Sequence, residues 1–388
     1  MRNPLSRALA TLAGACVLGM AVASSALAQE TIKVGLLQTY SGPSGLAGQH
    51  ADDTIKLFQQ RFGLLAGDKK IELIKRDTTG PNPEVAKRLV QEVIVRERVQ
   101  LMIGPDFTPN VLAAAPLVTE GRVPTIITGA ATTGIIGEKS PYYVRTFFAI
   151  PQVVTPMAQY AYKTGLRKLF VVVADYAPGH DAEGLMGKTF PALGGAIAGN
   201  LRISLRSPEF SSHMQRIKDA APDSVFVFLP VGELTVQFLK AYSDSGLKNT
   251  PIKLLGTGDL TDELLLDTAG DSALGVITTG YYSAAHDSIL NRQLVADHAS
   301  FKHSPNVPVW DALRLIYDGV AAQKGAPFDA DKFMAFVKGR KFESPRGPIA
   351  ISASNGDIVQ NTYIRRVERR DGKLQNIEIE TIADPALR

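Results

Sequence analysis

Apolar residues along this chain fall into two alternating patterns. Continuous runs at Thr31–Leu37, Leu101–Ile103, Val123–Ile127, Leu169–Val173, Val225–Leu229 and Ile252–Leu255 have the density of strands buried on both faces of a parallel sheet. Between them apolar positions recur at helical spacing. Ala51, Ile55, Phe58 and Phe62 follow the first run, and Val85, Leu89, Val93 and Ile94 follow the helix start at Asn82-Pro83. The stretch Ile71–Asp77 alternates like a further strand. A β-α-β-α order of this kind predicts a parallel sheet covered by helices. The rhythm restarts after Arg145–Pro151, which predicts a second α/β unit. From Gly347 the chain turns strand-rich, at Pro348–Ile351 and Thr362–Val367, with turn signals at Asn355-Gly356 and Asp371-Gly372. No repeat with a period of 20–50 residues is visible, which argues against a solenoid.

The first 28 residues read as a secretory signal. Arg2 and Arg7 open it, the apolar run to about Ala23 is short for a membrane span, and Ala26-Leu27-Ala28 fits a cleavage site, with Gln29 as the expected mature start. Cys16, the single cysteine, stands inside that apolar run, so lipidation is the minority reading and the mature chain is expected to lack cysteine chemistry. Residues 29–388 suffice for two domains with separate cores. Taking Arg2 and Arg7 from the 42 basic residues leaves 40 against 38 acidic ones, too even a balance to suggest a nucleic-acid partner.

Two of the apolar runs lead straight into small, hydroxyl-bearing loops, Gly104–Asn110 and Thr128–Gly134. The start of a helix leaves backbone N–H groups unpaired, so the Phe107-Thr108 turn is a cradle for a carboxylate; Thr108-Pro109 equally suits a plain helix start. In open α/β sheets ligands sit beyond the carboxyl ends of the strands, where both loops fall. Other candidates are weaker. His180-Asp181 and His286-Asp287 lack second ligands at helical spacing, so no metal is expected. Ser245–Lys248 lacks companion motifs, and Gly256-Thr257-Gly258 lacks the third glycine of a dinucleotide fingerprint. Tyr281 and Tyr282 can wall a cleft or pack at a strand end. Trp310, with Leu313, Ile316 and Tyr317, suits helix packing, and Glu233 is either a specificity group or a first-turn acid.

Taken in order, Ser41-Gly42-Pro43, Gly104–Thr108, Ala130–Thr132, Asp175–Gly179, Gly256–Asp259 and Ser344–Pro348 resemble the periplasmic solute-binding proteins of the branched-chain amino acid class. The resemblance implies two Rossmann-like lobes of the type I periplasmic binding protein, joined by a three-crossover hinge and closing on a ligand held between them. It divides the chain into residues 29–148 with about 282–343, and residues 149–281 with about 344–388. It makes Thr108 a donor to the ligand carboxylate, puts the Ala130 carbonyl and Thr132 hydroxyl on the polar head, and draws Tyr176 and the Pro230–Glu233 loop from the opposite lobe. Asp259 falls one residue after the place where relatives hold the ligand ammonium, which is Gly258 here. Ala47 and Pro178 stand where relatives carry large rings, so the pocket is expected to be roomier and the ligand bulkier than leucine, for instance an aromatic carboxylate. The implied partners are a small carboxylate ligand and the ABC permease of the inner membrane, with no cofactor, no nucleic acid and a monomeric state. A sensory module feeding a membrane receptor is the alternative, and an exported hydrolase a more distant one, since no nucleophile and base pair stands out.

Overall fold

The computed structural model describes residues 29–387 apart from 207, 209, 302 and 303; the expected signal segment, with Cys16 and the Ala26–Ala28 site, lies outside the described residues. The first sheet takes β1 (Thr31–Gln38), β2 (Leu65–Ala66), β3 (Lys69–Asp77), β4 (Leu101–Ile103), β5 (Thr125–Ile127) and β6 (Tyr143–Arg145), in the order β2-β3-β1-β4-β5-β6. It is parallel except for the short β2. Helices α1 (Leu46–Phe62), α2 (Pro83–Val95) and α3 (Thr108–Gly121) connect its strands. The helical spacing holds, with one refinement at each of the first two helices. Ala51, Ile55 and Phe58 are buried while Phe62 is exposed, and α2 buries Ala86 and Val90 beside Leu89 and Val93.

The chain then passes through Thr146–Ala149 into a second layer. Here β7 (Lys168–Ala174), β8 (Ala196–Ile203), β9 (Ser224–Phe228), β10 (Lys253–Thr257) and β11 (Ile277–Gly280) are joined by α4 (Ile150–Lys163), α5 (Ala177–Ala192), α6 (Ser211–Ala220) and α7 (Glu233–Asp244). A short helix, α8 (Leu266–Ala269), follows β10. The core strands explain their own sequences: Val171, Val172 and Val173 on β7 and Phe226 and Val227 on β9 are almost wholly buried because helices cover both faces.

After β11 the chain returns to the first lobe as α9 (Ile289–His298), α10 (Val307–Ala321) and α11 (Ala330–Val337). On α10, Trp310 packs edge-on against Phe58 at 5.0 Å between ring centroids, so it is a core residue of this lobe. A small antiparallel sheet of β12 (Lys341–Ser344), β13 (Gly347–Ile351) and β14 (Ile358–Gln360) follows, and Ile349, Ile351 and Ile358 join the same core. The final return therefore falls at Asn361, later than the boundary expected near 344. β strands in themselves carry no mark of which core they serve, so the strand-rich tail divides between the lobes only through its packing. The chain ends with β15 (Thr362–Arg370) and β16 (Lys373–Ile382), which complete the second sheet in the order β16-β15-β11-β10-β9-β7-β8. The Asp371-Gly372 turn between them has φ of 49° and 78°, the positive pair a tight hairpin needs.

Three crossings thus link the lobes, and they meet at one side chain. Arg346, almost wholly buried, donates from Nη2 to the Thr146 carbonyl of the first crossing at 2.6 Å and to Asp311 Oδ2 on α10 at 2.7 Å. Its Nη1 reaches Gln360 Oε1, beside the third crossing, at 2.8 Å. Its guanidinium lies over the ring of Tyr281 in the second crossing, 5.2 Å from the centroid. The Arg346 carbonyl accepts from Tyr363 Oη at 2.7 Å. Removing one partner of a buried ion pair strands the other, so Arg346→Leu is expected to destabilise the protein by about 3–5 kcal/mol, read as a lower urea midpoint.

Candidate functional site

The cleft between the two lobes is lined by residues just beyond the carboxyl ends of parallel strands. From the first lobe come Gln38 at the end of β1, Asp106 and Phe107 after β4, Thr128 and Gly129 after β5, and Phe147 after β6. From the second come Tyr176 after β7, Pro230 and Val231 after β9, Asp259, Asp262 and Glu263 after β10, and Tyr281 and Tyr282 after β11. The start of α1 adds Ser44, Ala47 and His50, and residues 304–308 before and within the first turn of α10 close the inner end. The cavity has an empty volume of about 860 Å³ with open solvent included, the size range of small-ligand sites.

Aromatic rings form much of its wall. Tyr281 packs on Phe147 at 5.4 Å and Phe148 at 5.8 Å, with the Arg346 guanidinium over it. Tyr176 stacks on Phe228 at 6.2 Å, which fixes the ring at the mouth of β7. Burial pushes the Tyr176 and Tyr281 phenols well above their ordinary range, so both stay protonated.

At the first-lobe end, α3 begins at Thr108 with Phe107 as the residue before it and Pro109 in its first turn. Thr108 is therefore the first helical residue, not the cap. Its hydroxyl is buried and has no hydrogen-bond partner, and the preceding Phe107 lines the cavity. The Asp106 carboxylate is spent on structure, accepting from the Thr39 N–H at 2.8 Å and the Thr78 hydroxyl at 3.1 Å, while burial raises its pKa. Gln38 donates to the Thr128 hydroxyl at 3.3 Å, joining β1 and β5 at the floor.

In the loop after β5, Thr128 and Gly129 line the cavity, and the carbonyls of Ala130 and Thr132 meet Arg145. Arg145 Nη1 donates to the Ala130 carbonyl at 2.9 Å and to the Thr132 carbonyl at 3.1 Å, and its other edge is paired with Asp357 at 2.8 and 2.5 Å. The Ala130 carbonyl expected on the ligand is thus already accepting a hydrogen bond, and the Thr132 hydroxyl is buried without a partner outside the cavity. No local pattern signals this, because Asp357 lies 212 residues away along the chain.

In the second lobe Asp259 is 7% exposed and faces the cavity from the turn Gly258–Thr261. Burial, with the Asp262 charge beside it, pushes its carboxyl up to about 8 against the opposing pull of Arg365. Glu263 is raised for the same first reason, while Ala284 N–H donates to it at 3.0 Å. Glu233 opens α7 at the outer, more open part of the cleft, accepts from Gln237 at 2.8 Å, and does not line the inner cavity. Of the two positions expected to enlarge the pocket, Ala47 lines it and Pro178 is buried in the first turn of α5.

The lobes touch at two lips. The Thr133 N–H donates to Asp181 Oδ2 on α5 at 3.2 Å. On the other side Gly232, with φ of 145°, approaches Pro43 so closely that a Cβ there would stand 3.0 Å from the Pro43 carbonyl oxygen. Among the described residues no cluster of His, Cys, Asp and Glu is arranged to hold a metal, and no helix is long and apolar enough to cross a membrane. Phe147, Asp262, Glu263 and residues 304–308 are cavity residues that sequence reasoning missed; the Asp259–Asp262–Glu263 spacing was the one available signal.

Comparison with known proteins agrees with this geometry. Residues 31–373 match the family model described as periplasmic binding protein. A curated relative, the Leu/Ile/Val-binding protein homolog 6 of Brucella melitensis, is 39% identical over 95% of this chain and 96% of its own. Two solved structures are solute-binding proteins of ABC transporters from Rhodopseudomonas palustris. One, from strain BisB5 in complex with 3,4-dihydroxybenzoic acid, is 41% identical with TM-score 0.88, covering 92% of this chain and 99% of that one. The other, from strain HaA2 in complex with p-hydroxybenzoic acid, is 41% identical with TM-score 0.88, covering 92% and 98%.

Asp259 gives a stability signature. A carboxyl whose folded pKa is raised stabilises the fold fully below its unfolded pKa, near 4, and that contribution is lost as pH rises through about 8. Asp259→Asn is therefore expected to melt above the wild type at pH 8 and to converge with it toward pH 4, as followed by thermal denaturation.

Proposed function

The chain belongs to the periplasmic binding protein family, and we propose that it binds an aromatic monocarboxylate between its lobes and delivers it to an ABC permease. The observation that carries this reading is the number of aromatic side chains on the cavity wall, Phe107, Phe147, Tyr176, Tyr281 and Tyr282, whose faces and edges suit a flat aromatic body. The carboxylate belongs at the first-lobe end. There the amide groups at the start of α3 and the unpartnered Thr108 hydroxyl favour a negative charge. The Brucella relative is named for branched-chain amino acids, whereas two Rhodopseudomonas palustris relatives hold hydroxybenzoic acids, and the aromatic wall favours the second class here.

Binding stabilises the closed arrangement by touching both lobes at once, with the chain turning about its three crossings. The first lobe comprises the sheet of β1–β6 with α9–α11 and the small β12–β14 sheet; the second comprises β7–β11 with β15 and β16. The solute leaves unchanged, so this is a binder rather than an enzyme, acting as a monomer in the periplasm after cleavage behind Ala28. Mass spectrometry of the exported protein is expected to find Gln29 at the N-terminus; retention of residues 1–28 would contradict the proposed processing.

A thermal-shift series tests the ligand class. At about 100 times its Kd, 4-hydroxybenzoate is expected to stabilise the folded state by about 2.7 kcal/mol, with leucine and valine leaving the midpoint unmoved. A shift with leucine and none with any aromatic acid would return the site to the amino-acid class.

A further inference from the structure

The two ends of the cavity differ in chemistry. The first-lobe end offers donors, from the start of α3 and the Thr128 hydroxyl. At the second-lobe end the segment after β10 brings Asp259, Asp262 and Glu263 to the cavity lining; Asp262 accepts from the Leu264 N–H at 2.9 Å and Glu263 from the Ala284 N–H at 3.0 Å. Among the described residues no hydrogen bond reaches the Asp259 carboxyl, although its side chain is more than nine-tenths buried and faces the cavity.

Among the described residues, one cation stands close behind these acids and gives its Nη donors to the protein. Arg365 on β15 donates from Nη1 to the Tyr282 carbonyl, and from Nη2 to the Gly258 carbonyl at 3.1 Å and the Thr278 hydroxyl at 3.2 Å. It fits because two neighbours lack side chains. A Cβ on Gly280 would lie 2.5 Å from the guanidinium carbon, and one on Gly258 2.9 Å from Nη2. Arg365 thus offsets the acids from behind while its Nη donors are turned to the protein.

We infer that the Asp259–Asp262–Glu263 end of the cavity is a specificity pole for an uncharged, hydrogen-bonding ring substituent. The site then selects aromatic monocarboxylates with a hydroxyl opposite the carboxylate and rejects aromatic dicarboxylates. The inference rests on the proposed aromatic-carboxylate reading of the same cavity. A hydroxyl both donates and accepts, and so does a carboxyl that keeps its proton, as burial makes Asp259 do up to about pH 8. The charged and titratable groups around it are Asp262 and Glu263 from its own segment, Arg365 from β15, Tyr176 from the loop after β7 and Tyr281 from the second crossing. Among the described residues, a second ligand carboxylate at this end would meet the Asp262 charge and no Lys or Arg side chain on the cavity lining, an arrangement that discriminates by repulsion and by uncompensated burial of charge.

Calorimetric titration of the full mature chain at pH 7 with 4-hydroxybenzoate, benzoate and benzene-1,4-dicarboxylate tests the pole. The hydroxy acid is expected to bind about tenfold or more tightly than benzoate, and about a hundredfold or more tightly than the dicarboxylate. In Asp259→Ala the ratio of hydroxybenzoate to benzoate affinity is expected to fall to within about threefold. Equal binding of benzoate and 4-hydroxybenzoate by the wild type, a dicarboxylate bound as tightly as the hydroxy acid, or an unchanged ratio in the variant overturns the inference while leaving the aromatic-carboxylate reading standing. Silence from all three acids overturns that reading and the inference with it. The wild-type ratios decide the matter even where the variant fails to fold.

Discussion

A buried arginine with a single carboxylate partner carries an unusual share of this molecule's geometry. A guanidinium taken out of water must be met on nearly every side, and Arg346 is met by a carbonyl of the first crossing, a ring of the second, an amide beside the third and a carboxylate on α10. Its planar fork fixes those groups relative to one another. Because Tyr281 is both one of those groups and a wall of the cavity, the joint between the lobes and the ligand wall share a side chain. A change of interlobe angle is thus felt at the ring, and displacement of the ring is felt at the joint.

The cavity itself follows from topology. Parallel strands in both sheets point their carboxyl ends toward the cleft, so the segments that follow β4, β5, β6, β7, β9, β10 and β11 supply its lining. The polarity at the two ends has separate origins. The donors belong to a helix start, which any residue sequence would supply, whereas the acids belong to a single segment after β10 and depend on glycines at 258 and 280 to admit their counter-charge. The acidic end of the cavity is therefore a property of the second lobe.

Much of the architecture was legible from the chain alone, since the buried strands of a parallel sheet advertise themselves as unbroken apolar runs and α1–α3 by their period. The cleft was legible to the extent that it follows strand ends: Phe107, Tyr176, Asp259 and Tyr281 all line the inner cavity. What was not legible depends on partners distant in sequence: nothing near Ala130 and Thr132 signals Arg145, and nothing near Arg145 signals Asp357. The placing of β13 and β14 was missed for a related reason, as their apolar residues Ile349, Ile351 and Ile358 suit either core by type and only long-range packing decides between them.

The interleaved path has a consequence for how the protein is made. Residues of β13 and β14 complete the same core as β1, and Asp357 holds the loop after β5 from the far end of the chain. A ribosome or translocon releases the N-terminal sheet first, yet that sheet stays short of its covering until some two hundred further residues have emerged. The first lobe to be synthesised is thus among the last to be finished, and its apolar face must be kept from premature association throughout that interval.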